Sequence, residues 1–70
     1  MYKVVKFIKE QRKANRMTQA QCAFKAGVSL IFLRNLEQGK KSVQVDKVND
    51  ILNLFGYELG PVPKDRPKFD

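Results

Sequence analysis

The stretch TQAQCAFKAGVSLIFLRNLEQG, residues 18–39, decides the fold. Thr18 followed by Gln21 reads as a capping box, in which the hydroxyl takes the backbone amide three residues on and the glutamine reaches back. A helix therefore starts at Gln19. Ala20, Cys22, Ala23 and Ala26 give it a small inner face, so that a neighbouring helix can approach closely. Gly27 stands past its end, where a left-handed conformation costs glycine little. Only Val28 separates that glycine from a second cap, Ser29. The helix that follows runs from about Leu30 to Glu37 and stops before Gly39.

Two short helices across a glycine turn make the helix-turn-helix pattern. At 100° per residue, Ser29, Leu33 and Leu36 of the second of these helices face inward, with Phe32 at the edge. Leu30, Ile31, Arg34 and Asn35 face outward. In a major groove, apolar side chains pack on thymine methyls, arginine bonds guanine and asparagine bonds adenine. Leu30, Ile31, Arg34 and Asn35 are therefore the candidate base-reading residues. The competing reading is a protein contact through Leu30 and Ile31, with Arg34 merely solvated. Thr18 and Gln19 open a helix whose free amides favour an anion. With Lys40 and Lys41 they are the candidate phosphate contacts, which position without reading sequence. Lysines in a loop can equally be only solvated.

Outward from this motif, residues 2–15 have helical periodicity. Val4, Val5, Ile8 and Arg12 form one stripe, and Lys3, Lys6, Lys9 and Lys13 lie opposite. Arg12 is out of place on an apolar stripe and requires a fixed acidic partner. A fourth helix is expected from Asp46, its cap, to Phe55, with Val48, Ile51, Leu52 and Phe55 on one face and Gly56 ending it. The expected fold class is all-α: four helices, followed by a short C-terminal strand. Residues 1–56 form the helix-turn-helix unit, 57–62 the strand and 63–70 a mobile tail.

Seventy residues build a core that rarely supplies more than roughly 3–5 kcal/mol without a staple or a partner. Cys22 is the only cysteine and histidine is absent, so neither an internal disulfide nor a Cys/His metal site is available. Cys22 reads as a small buried hydrophobe rather than a redox centre. A second copy of the chain is the expected staple. Tyr57, Glu58, Leu59, Gly60, Pro61 and Val62 point the same way, since a lone strand leaves its backbone groups unpaired. Antiparallel pairing with its own copy across a two-fold axis satisfies them, with Tyr57 and Leu59 turned toward the helices. Pro61 then lies on the unpaired side or at the strand's end. A loop capping the fourth helix is the alternative.

Residues 1–41 hold ten Lys/Arg against Glu10 and Glu37, a balance of +8, whereas residues 42–70 balance at −1. That asymmetry suits a polyanion docking on the basic part, or else a solvated surface. The N-terminal MYKVVKFIKE lacks the apolar run of a signal peptide and nothing approaches a membrane span, so a cytoplasmic, nucleoid-associated location is expected. No nucleophile with its base, carboxylate pair, metal set or phosphate loop can be assembled, so neither an enzyme, a cofactor nor a small-molecule substrate is expected.

The run from Arg12 to Gly39 resembles the lambda-repressor/Cro type of helix-turn-helix domain. Met17-Thr18-Gln19, Ala23, Ala26-Gly27-Val28, Leu33 and Leu36-Glu37-Gln38-Gly39 match it in type and spacing. The resemblance places Arg12 and Glu37 at that family's structural ion pair. It carries base contact over to Ser29, Leu30, Ile31 and Arg34, with Asn35 a further contact. Leucine and isoleucine at 30 and 31 depart from the polar residues usual there. A closer resemblance, to HipB-like antitoxins, rests on Leu36–Lys40, Asp46–Asn49 and Leu54–Gly60, and spans about residues 3–62. It implies a homodimer on a palindromic double-stranded operator, autorepression, and a HipA-type kinase toxin as partner; the tail reads either as a docking segment for that partner or as frayed surface. A stand-alone phage-type or restriction-modification control regulator is the second reading, and a protein-interaction module the third.

Overall fold

Four helices follow one another: α1 (Tyr2–Ala14), α2 (Gln19–Ala26), α3 (Leu30–Glu37) and α4 (Val45–Leu54). The computed structural model describes residues 2–40 and 44–60. Lys41, Pro61, Val62 and the tail at 63–70 lie outside the described residues.

In α1 the apolar stripe sets which face turns inward. Ile8 is fully buried, and Val4, Val5 and Phe7 pack half-buried beside it. The helix closes with Arg16 N–H donating to the Lys13 carbonyl and Met17 N–H to that of Arg12, both at 3.0 Å. This crossed pair of bonds requires a left-handed residue past the helix end. Here that residue is Arg16, at φ 55°.

Local chemistry fixes both ends of α2. Thr18 Oγ1 accepts from Gln21 N–H at 3.1 Å, and Gln21 Oε1 accepts from Thr18 N–H at 2.9 Å. Gly27 then turns left-handed at φ 77°, and Val28 N–H reaches the Ala23 carbonyl. Cys22 and Ala23 are buried and Ala26 is half-buried, but Ala20 is exposed, contrary to the inner face read from sequence. The wheel explains the correction. Gln19, Cys22, Ala23 and Ala26 centre on one direction, and Ala20 stands about 100° from it. Gln19 takes the inner place instead.

Ser29 Oγ caps α3 by accepting from Phe32 N–H at 3.0 Å. Phe32, Leu33, Leu36 and Glu37 are buried. Together with Ile8, Cys22, Ala23, and Val48, Ile51 and Leu52 of α4, the apolar members of that set form one core. Lys47 Nζ lies 5.7 Å from the Phe32 ring centroid, within reach of a cation–ring attraction, while α4 as a whole packs mainly against α2.

The start of α4 differs from the expectation. Gln44 occupies the cap position without a side-chain bond, and Asp46 lies inside the first turn. A carboxylate there still meets the positive end of the helix, which satisfies Asp46 without making it the cap. After Gly56 the described chain, Tyr57 to Gly60, forms no strand. Tyr57 meets Phe7 edge-on, with ring centroids 4.7 Å apart, and Leu59 N–H donates to Asn49 Oδ1 at 2.8 Å. Tyr57 is otherwise 52% exposed, and the Leu59 side chain packs half-buried against the core.

Candidate nucleic-acid interface

The core fixes one side of α3 and thereby determines what its other side presents. Phe32, Leu33, Leu36 and Glu37 centre on the inward direction, which leaves Ile31, Arg34 and Gln38 grouped opposite. Ile31 is 69% exposed, and Arg34 and Gln38 are exposed as well. Leu30 and Asn35 stand on the shoulders of this face and are half-buried. The outward placement of Leu30 read from sequence is therefore corrected, because its side chain packs against the core and its apolar character has a structural use. Ser29, assigned inward on the wheel, is exposed, because a cap residue does not follow the helical screw.

Ile31 has no such structural use. An isoleucine left mostly in water, flanked by an arginine and a glutamine, forms a small mixed face of one apolar and two hydrogen-bonding groups. Gln38 was missed in the sequence reading. Its spacing from Arg34, four residues along, was the available signal.

This face is held in place by a buried ion pair. Arg12 Nε donates to Glu37 Oε2 at 2.7 Å and its Nη2 to Oε1 at 2.9 Å, a two-pronged contact. A third bond runs from Arg12 Nη1 to the Met17 carbonyl at 3.0 Å. The side chains are 13% and 3% exposed respectively. The pair joins α1 to the last residue of α3, so it sets how α3 lies on the bundle.

Gln19 completes the pair. Its Nε2 donates to Glu37 Oε1 at 3.1 Å, which places its side chain on a structural duty that its assignment to phosphate left out. Its backbone amide remains at the open end of α2, whose first turn holds no acidic residue. Desolvation alone pushes the Glu37 carboxyl up. Hydrogen bonds from Arg12 and Gln19, with the charges of Arg12 and Lys9, outweigh it and hold the group below its ordinary value. Glu37 therefore stays ionised at neutral pH although buried.

Of the remaining sequence candidates, Thr18 and Lys40 are exposed, and Lys41 lies outside the described residues. Phe24, on the outer side of α2, is 88% exposed, a large apolar side chain that the sequence reading passed over. No described helix is long and apolar enough to cross a membrane.

A family model described as helix-turn-helix matches residues 8–62. No curated protein matches the chain.

Proposed function

The chain belongs to the helix-turn-helix family of DNA-binding transcription regulators, of the lambda-repressor/Cro type, and from that premise we propose that it represses its own operon by binding a palindromic operator as a homodimer. The outward face of α3 enters the major groove. Ile31 packs on a thymine methyl and Arg34 bonds a guanine, while Ser29, Leu30 and Asn35 make flanking base contacts. Thr18, the Gln19 amide, Lys40 and Lys41 hold phosphates on either side. The observation that carries the reading is the exposed Ile31 beside Arg34 on a helix whose opposite side is locked into the core.

The dimer forms through residues 57–62, each copy pairing antiparallel with the other. Its support is physical. Tyr57 and Leu59 already turn toward the helices, and Val4, Phe7, Leu52, Tyr57 and Leu59 line an open groove of about 250 Å³ that a second copy can cover. The partner outside the DNA is a HipA-type kinase toxin, a reading that rests on the resemblance carried by residues 36–40, 46–49 and 54–60.

Titration of a duplex from upstream of its own gene, over a salt series, tests the DNA half. The logarithm of the binding constant should fall by about 0.9 per neutralised phosphate for each tenfold rise in salt. Salt-independent binding would instead favour an apolar grip on a protein. The toxin half is tested by co-purification with the neighbouring gene product, and failure of any kinase-like protein to co-purify would count against it.

A further inference from the structure

Arg16 is the only non-glycine with a positive φ among the described residues, at 55°; the other three are Gly27, Gly39 and Gly56. A side chain with a Cβ is strained in that region, and glycine adopts it freely. The turn between α1 and α2 needs the left-handed residue, as its two crossed backbone bonds show. It does not need an arginine. The side chain is exposed, and no described carboxylate pairs with it, the only ion pair among the described residues being Arg12–Glu37. A strained residue thus carries a side chain that pairs with no other described residue.

The DNA-binding reading, on which this inference rests, supplies a use. Arg16 lies two residues before Thr18, the proposed phosphate contact, and one turn from the exposed Lys13. We infer that Arg16 is a further contact to the DNA backbone, a cation kept where glycine would serve the fold better. It adds affinity and positions the chain without reading bases.

Arg16→Gly separates the two roles, because they move in opposite directions. Thermal melting of the variant should shift upward by about 2–6 °C as the strain is relieved. Binding should weaken on the order of tenfold, equally on operator and scrambled duplex, and the salt slope should drop by about one per protomer. Arg16→Lys should retain the slope. Wild-type affinity and slope in Arg16→Gly, with the parent chain binding duplex steeply in salt, would overturn this contact alone. A lower melting temperature would also overturn it, since the arginine would then be serving the fold. A parent chain that binds no duplex would remove the DNA reading and this inference with it.

Discussion

Glu37→Ala is expected to cost about 3–5 kcal/mol, enough to unfold most of the isolated domain. The loss is not that of one contact. Removing the carboxylate leaves the Arg12 guanidinium, 13% exposed, with a single carbonyl for three donated bonds, and leaves the Gln19 amide without its acceptor. An unpaired buried charge is far more costly than an absent pair. The double variant Arg12→Met, Glu37→Leu should therefore recover most of the stability that the single variant loses. Thermal melting followed by circular dichroism reads both. A shift in Glu37→Ala of less than about 3 °C would contradict the pairing, since each kcal/mol moves a domain of this size by about 4–8 °C.

The same pair predicts a pH profile. The folded carboxyl is held below its unfolded value of about 4.3, so its stabilisation is complete above that value and lost as pH falls through the folded one. Melting of the parent chain should be flat from neutrality to about pH 5 and decline below about pH 4. Arg12 stays charged throughout and adds no step.

Much of this was legible because it is local. The cap at Thr18, the reciprocal bond from Gln21, the turn at Gly27 and the cap at Ser29 all act within four residues, and each is made by the residue that suggests it. The need of Arg12 for an acid could also be read, because a cation interrupts an apolar stripe. Which acid it meets could not be derived from spacing, since Glu37 is 25 positions away and only family resemblance pointed to it. Three features carried no readable local signal. Leu30 turns partly into the core, Gln19 spends its side chain on Glu37, and Arg16 takes a turn position where no glycine announces the left-handed backbone. Asp46 misled because an acidic residue suits both a cap and a first turn.

The second large effect concerns the outward face. Ile31→Asp should abolish binding to any duplex, by about 100-fold or more, while the fold stays intact. With 69% of the isoleucine exposed, its removal should change stability by no more than about 0.5 kcal/mol. An aspartate in the first turn of α3 also suits the positive end of that helix. What changes is the surface offered to DNA. A carboxylate pressed toward phosphate-lined walls is a like-charge contact, and such contacts cost several kcal/mol. Ile31→Ala, which removes only apolar contact, should lose much less. An aspartate variant that melts like the parent and still binds duplex at parental affinity would take Ile31 out of the interface.

Sequence-specific binding depends on α3 presenting Arg34 to base edges rather than to the backbone. Its most direct test is the affinity of Arg34→Ala, measured side by side with the parent on the operator and on a scrambled duplex of equal length and salt. A lost guanine contact predicts about 1–3 kcal/mol weaker binding on the operator alone, with the scrambled duplex unaffected. Equal weakening on both duplexes, or on neither, would contradict base reading by this helix.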